Sequence, residues 1–316
     1  MSSKSEKVGI VGSGLIGRSW SMLFASVGYK VMLYDILPAQ VETALKETEK
    51  ELKSLEKQGL LRGKLNANEQ FSCISGTTKL TELVKDAIFI QECIPERLDW
   101  KQALYKELDG VLESQTIVSS STSTFLPSLF TKDLKHQENM LVSHPVNPPY
   151  YVPLVEVVPA PWTKKTVVQK TRSLMEEIGQ KPVTLSREVE GFALNRIQYA
   201  ILNEVWSLVD RGILDVKDVD SVMSDGLGMR YAFLGALETA HLNAEGMTNY
   251  FERYSKTIHA VSETMPSSPP RMEGKTAESI AKQLEVMVPL DKLQERREYR
   301  DKCLTQLSIL KKKLNE

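Results

Sequence analysis

The chain has 316 residues, 40 Lys and Arg against 41 Asp and Glu, 41% hydrophobic and 26% charged residues. A formal net charge of −1 gives no overall field to attract nucleic acid or an anionic membrane surface, so neither is expected as a partner. At roughly 100–200 residues per domain, the length predicts two domains, each able to bury its own core.

Only three cysteines occur, Cys73, Cys93 and Cys303, far apart and without CxxC spacing. That argues against a disulfide framework or thiolate metal site and for a reducing compartment. The four histidines show no metal-ligand spacing, so no ion is expected. The segment Met1 to Lys7 is polar, without the apolar centre of a signal peptide. No run of about 18 apolar residues is present to span a membrane, and the expected location is the cytosol.

Val8 to Gly12 reads as a short apolar strand, Leu15 to Val27 as a helix closed by Gly28, and Lys30 to Asp35 as a second strand. Strand, helix, strand implies a parallel sheet, because parallel strands need a crossover. Ala39 to Gln58 is dense in Glu and Lys, with Glu42/Lys46 and Glu49/Lys53 at i,i+4. It predicts a solvated helix projecting from the sheet and ending near Gly59 or Gly63. Further strands are predicted at Ala87–Ile90, Thr116–Ser119, Met140–Ser143, Leu154–Val158 and Pro182–Leu185. Beyond about Glu188 the strand signal stops. Glu190 to Arg211, with Ile197, Ile201, Val205 and Leu208 at helical spacing, predicts a long buried helix. Pro266, Pro269 and Pro270 mark a loop, and helices are predicted over Met272–Met287 and Leu290–Leu314. The expected architecture is α/β: a Rossmann-type, doubly wound, mainly parallel sheet over 1–187, then an all-helical domain over 188–316.

Gly12-Ser13-Gly14-Leu15-Ile16-Gly17 is a GxGxxG that follows a strand and opens a helix. Gly12 permits the tight turn, Gly14 lets a pyrophosphate approach the backbone, and Gly17 lets helix and strand pack closely. The N–H groups and dipole of the helix N-terminus, from Leu15 and Ile16 on, favour the phosphates. Asp35 lies 18 residues after Gly17, at the end of the second strand, where a carboxylate can bond both ribose hydroxyls. It would repel a 2′-phosphate, and Ile36 and Leu37 offer no cation to receive one. The expected cofactor is therefore NAD rather than NADP.

His144 ends a strand and enters the stiff segment Pro145-Val146-Asn147-Pro148-Pro149, at the sheet edge where ligands of open α/β folds bind. On the next strand, Glu156 is a single acid in an apolar run. Unpaired burial of such a group costs about 3–5 kcal/mol, so it needs a partner. Bonded to one imidazole nitrogen, Glu156 would make the other nitrogen of His144 a general base. The alternative is a core histidine satisfied by a structural carboxylate. Ser119-Ser120-Ser121-Thr122-Ser123-Thr124 offers hydroxyls at the same edge, or a cluster of helix caps. Asn195, Gln198, Tyr199 and Asn203 form a polar strip on an otherwise apolar helix.

These motifs, with PERLDWK (Pro95 to Lys101) and EGFALNR (Glu190 to Arg196), resemble the 3-hydroxyacyl-CoA dehydrogenase superfamily over nearly the whole chain, most closely its lambda-crystallin branch of L-gulonate 3-dehydrogenases. The resemblance implies that His144 is the base, that Glu156 orients it, and that Ser123 and Asn195 bond the reacting substrate oxygen. It also implies Glu96 and Lys101 against the cofactor, Asn147 near its nicotinamide end and Gln40 near its ribose, and a homodimer through the helical domain. Acyl-CoA members carry a segment of the kind GxGxPxGPF after the long helix; here Gly226-Leu227-Gly228-Met229-Arg230-Tyr231 stands instead. Arg230, a bidentate partner for a planar carboxylate, possesses the chemistry to anchor a small hydroxy acid, with Arg196 as a second candidate, and the resemblance implies L-gulonate. A 3-hydroxyacyl-CoA substrate, or a structural lens role beside catalysis, are the alternative expectations.

Overall fold

The computed structural model describes residues 4–314, which divide into two compact units, 4–196 and 197–314. In the first, β1 (Lys7–Val11), α1 (Leu15–Ser26) and β2 (Lys30–Tyr34) form the expected crossover unit. There follow α2 (Pro38–Lys57), α3 (Ala67–Ser72), β3 (Ile74–Thr77), α4 (Leu80–Val84), β4 (Ala87–Glu92), α5 (Leu98–Val111), β5 (Ile117–Ser120) and α6 (Ser128–Thr131). The unit closes with β6 (Met140–Pro145), β7 (Leu154–Pro159), α7 (Lys165–Glu177), β8 (Lys181–Thr184) and the start of α8 (Leu194–Asp210).

The eight strands make one sheet in the order β3-β2-β1-β4-β5-β6-β7-β8. All neighbours are parallel except β6 and β7, which are antiparallel. The order reverses between β1 and β4, so the carboxyl ends of these two strands open the switch-point crevice where ligands of such folds bind.

Period-two alternation along β1 sends Val8 and Ile10 to one face and Val11 to the other. Gly9, between them, lets Leu83 and Ile90 pack against the strand backbone. One face is covered by apolar side chains of α1, α2 and α7, among them Trp20, Phe24, Leu52 and Met175, all fully buried. On the other face Leu83, Tyr105, Leu108 and Phe130 are buried from α4, α5 and α6. Each such large side chain contributes about 1.5–3 kcal/mol on leaving water. The sheet is thus covered on both faces, the arrangement expected for near-continuous apolar strands.

Two expectations are corrected. The charged helix α2 does not project freely: Val41, Ala44, Thr48, Leu52 and Leu55 form a buried stripe, while its Glu42–Lys46 and Glu49–Lys53 pairs, at 2.7 and 2.5 Å, lie on the solvated side. Helix α8 is not deeply buried: Ile197 is 64% exposed and Leu202 41%. The short strand β3 was absent from the expectation.

The second unit, into which α8 continues, is helical. It contains α9 (Val216–Ser221), a π-helical turn at Val222–Leu227, α10 (Gly228–Tyr231), α11 (Ala236–Leu242), α12 (Met247–Ser262), α13 (Gly274–Met287) and α14 (Leu293–Leu314). Among the described residues no helix is long and apolar enough to cross a membrane, and no group of three or more His, Cys, Asp or Glu is placed to hold a metal ion.

Candidate active site

The glycine-rich turn does what its sequence requires. Gly12 takes a positive φ of +99°, and a Cβ there would stand 2.7 Å from the Cys93 carbonyl oxygen, so strain and contact both demand glycine. A Cβ on Gly17 would lie 1.9 Å from the Gly12 oxygen. Around Gly14, by contrast, nothing lies within 4 Å of that position. The N-terminus of α1 receives no side-chain cap, which leaves the N–H groups around Leu15 and Ile16 available to an anion. Open space at Gly14 and an uncapped helix fit a dinucleotide pyrophosphate. Asp35 lies beside this turn, its Oδ2 accepting from the N–H and Oγ of Ser13 at 3.1 and 2.7 Å. Gln40 is exposed on the first turn of α2, whose start follows Asp35 closely in the chain.

Across the switch point, β4 ends in Glu92, wholly buried. Its carboxylate accepts from Lys101 Nζ at 2.8 and 3.1 Å, from Ser120 Oγ at 2.5 Å and from the Ile94 N–H at 2.7 Å. Burial pushes this carboxyl up, and the Lys101 ammonium and the other donors pull against it. Lys101 is 1% exposed and also reaches Glu96 Oε2 at 3.4 Å. This residue, expected against the cofactor, holds its ammonium between the carboxylates of Glu92 and Glu96. Removing one partner of such a buried pair costs about 3–5 kcal/mol. Glu92 went unnoticed in the sequence, where it only closes the apolar run AIFIQE.

Glu96 then organises the serine-rich segment. Its Oε1 accepts from Thr122 Oγ1 at 2.5 Å, the Ser123 N–H at 3.0 Å and the hydroxyls of Ser123 and Thr124 at 3.3 Å. Burial alone would raise the Glu96 carboxyl, but the Thr122 bond, the Lys101 charge and the Ser123 N–H outweigh it and hold it below the usual carboxylate range. Asn195, at the start of α8, donates from Nδ2 to the Ser123 carbonyl at 2.9 Å. The two residues expected to share a substrate oxygen are therefore neighbours.

The antiparallel pairing of β6 and β7 sets His144 directly opposite Glu156. His144 Nδ1 lies 2.8 Å from Glu156 Oε2, and both side chains are buried. The other carboxylate oxygen accepts from the backbone N–H groups of Ala193 and Leu194, at 2.7 and 2.9 Å. For Glu156, burial pushes the carboxyl up, yet the His144 bond and then the two N–H bonds prevail and hold it below its ordinary value. Phe192 packs tilted on the imidazole at 5.7 Å, in a left-handed backbone conformation with φ +52°. An ionised, triply bonded carboxylate on Nδ1 places that proton on Nδ1 and leaves Nε2, which has no partner among the described residues, as the basic nitrogen.

Asn147 is exposed in the loop after β6, before a cis bond to Pro148. Arg230 is exposed on α10, in the other unit. Arg196, also exposed, donates to the Glu190 carbonyl at 3.4 Å. Cys93 is neighbour to Glu92, and burial pushes its thiol up, so it stays protonated and chemically quiet.

Comparison with known proteins identifies the family. Residues 7–189 match the model of the 3-hydroxyacyl-CoA dehydrogenase NAD-binding domain and residues 191–283 that of the 3-hydroxyacyl-CoA dehydrogenase C-terminal domain. Lambda-crystallin of Oryctolagus cuniculus is 50% identical over 307 residues, 96% of each chain. An L-carnitine dehydrogenase of Oceanobacillus iheyensis is 34% identical, covering 80% of this chain and 81% of its own. Among solved structures, FHMPC 5-dehydrogenase, described as an NAD+-dependent dismutase, shares the fold with a TM-score of 0.82 at 22% identity, over 97% of this chain and 98% of its own. Matched by both family models over most of its length and by relatives at 50% and 34% identity, the chain belongs to the 3-hydroxyacyl-CoA dehydrogenase family of NAD-dependent oxidoreductases.

Proposed function

We propose that the chain oxidises the carbon-3 alcohol of a small hydroxy acid, L-gulonate, to 3-dehydro-L-gulonate with NAD. The observation that carries the reading is the imidazole of His144, fixed on Nδ1 by Glu156 at 2.8 Å, with Nε2 engaged by none of the described residues. The substrate hydroxyl meets Nε2, with Ser123 and Asn195 holding its oxygen. As the carbinol C–H electron pair departs, the hydroxyl proton moves to Nε2 and the C–O bond becomes a carbonyl. Glu156 stabilises the imidazolium that results, and its two backbone donors keep it ionised, so the Nδ1 proton stays on the ring. NAD, when bound along the Gly12–Gly17 turn, supplies the acceptor for the hydride. Similarity to lambda-crystallin at 50% identity supports the hydroxy-acid branch, as does Arg230 in place of a proline-rich CoA-type segment. The reading includes cytosolic action as a homodimer through the helical unit, where Leu237 and Val286 stand exposed; sedimentation counts the subunits.

NADH formation by the purified protein tests the substrate. Turnover is expected with L-gulonate and not with 3-hydroxybutyryl-CoA, and the opposite preference overturns the hydroxy-acid reading. Turnover with neither would favour a structural role. Arg230→Met should raise the KM for L-gulonate roughly ten- to a hundredfold, the scale of a lost hydrogen bond to a charged group; an unchanged KM removes Arg230 from the site.

A further inference from the structure

Ser13 occupies the first variable position of the glycine-rich turn, where a dinucleotide fingerprint sets no requirement. Here its side chain is 6% exposed, and both of its donors converge on one atom. The Ser13 N–H and Oγ lie 3.1 and 2.7 Å from Asp35 Oδ2. Among the described residues the other oxygen, Oδ1, has only the Leu37 N–H, at 3.4 Å. One oxygen of the carboxylate is therefore engaged by two donors, while its twin keeps its lone pairs for a ligand.

We infer that Ser13 is a specificity-determining residue that pins Asp35 so that Oδ1 faces the adenosine ribose. Its hydroxyl thereby sets the preference for NAD over NADP. The inference rests on the assignment of Asp35 to the ribose. Two physical consequences follow from pinning. A pre-ordered carboxylate does not lose rotamer freedom when the diol binds, so affinity for the unphosphorylated ribose rises. A carboxylate held through Oδ2 by two donors also resists swinging away from an incoming 2′-phosphate, so like-charge repulsion is kept. The neighbours cannot replace this function: Ile36 and Leu37 are exposed and apolar, at 74% and 53%, and bring neither cation nor donor side chain to the ribose.

The test is direct binding of NADH and NADPH to the full-length protein, by nucleotide fluorescence, with thermal unfolding recorded alongside. Ser13→Ala keeps the backbone donor and removes the hydroxyl. Its Kd for NADH should rise about three- to tenfold, the scale of immobilising one side chain, and the ratio of NADPH to NADH Kd should fall by a larger factor. Ser13→Thr, which keeps a hydroxyl at the same atom position, should restore the ratio toward the parent value. A ratio within twofold of the parent in Ser13→Ala, with a parent-like Tm, overturns the inference. So does equal narrowing by both variants. Asp35→Ala separates the two layers: if NADH affinity does not fall there, the ribose assignment itself is wrong. If it falls there but not in Ser13→Ala, only the role of Ser13 is lost.

Discussion

The two ends of the proposed site are built on different principles. The nucleotide end spans Gly12 to Asp35, one continuous stretch, and depends on backbone: a positive φ at Gly12, the absent side chains of Gly14 and Gly17, and one uncapped helix. The alcohol end draws on β6, β7, the start of α8 and the serine-rich segment, and it depends on charged side chains that satisfy one another. Steric additions should therefore damage the first, and changes of charge or proton count the second. His144→Ala tests the separation most severely. It removes the base alone, so kcat should fall about 10²–10⁴-fold, while the Kd for NADH, read by fluorescence, stays within about twofold, a difference of under 1 kcal/mol. Near-normal turnover would remove His144 from the chemistry, and lost NADH binding would show that the two ends are not separable.

The converse experiment adds a single methyl group at the other end. Gly14 has an ordinary φ of −68° and no atom near its missing Cβ, so Gly14→Ala should leave Tm unchanged or slightly raised. The methyl would occupy space meant for phosphate, and such overpacking, at about 1–3 kcal/mol, predicts an NADH Kd raised roughly ten- to a hundredfold. Gly17→Ala supplies the contrast within the same motif. Its Cβ would meet the Gly12 oxygen at 1.9 Å, so it should lower Tm as well as binding. Equal loss of Tm in both variants would mean that Gly14 is kept for packing and not for the nucleotide.

This difference in construction also decides what the sequence discloses. The nucleotide end is contiguous and its requirements are local, so GSGLIG with Asp35 could be read residue by residue. The pairing of His144 with Glu156 could be posed, because a lone acid in an apolar strand needs a partner, but its geometry depends on the antiparallel register that sets them face to face. Nothing local reveals that the backbone of Ala193 and Leu194 would come to the second oxygen. Glu92 and the carboxylates around Lys101 were hidden for the same reason: their bonds to Ser120 and Glu96 join three segments through tertiary contact. The signal that could have found Glu92 is an acid ending a buried strand nine residues before a lysine. Strand β3, with the sequence ISGT, is too short and polar for periodicity, and its Gly76 is a packing device: a Cβ there would lie 2.3 Å from Val41. In α8 the apolar spacing was real, but exposure of Ile197 shows that helical periodicity identifies a face without saying what covers it.

The smallest effect concerns acid stability of the alcohol end. Glu156 has a carboxyl held below its ordinary value of 4.5: burial opposes this, and the His144 bond and the N–H groups of Leu194 and Ala193 prevail. Its folded pKa is thus lower than its unfolded one, so the unfolded chain takes up the proton first as the solution is acidified. The stability contributed by this group is complete above the unfolded value and is lost as pH falls through the folded one. Glu156→Gln keeps the shape and removes the titration. At neutral pH the variant should be less stable by about 1–3 kcal/mol, the cost of losing charge-assisted bonds, measured as urea unfolding midpoints. Below about pH 4.5 the parent should approach the variant, because protonation removes in the parent what substitution has already removed. Midpoints that remain equally far apart down to the acid limit would show that the carboxylate of Glu156 is not held as a charge, and that the proton placed on His144 Nδ1 needs another explanation.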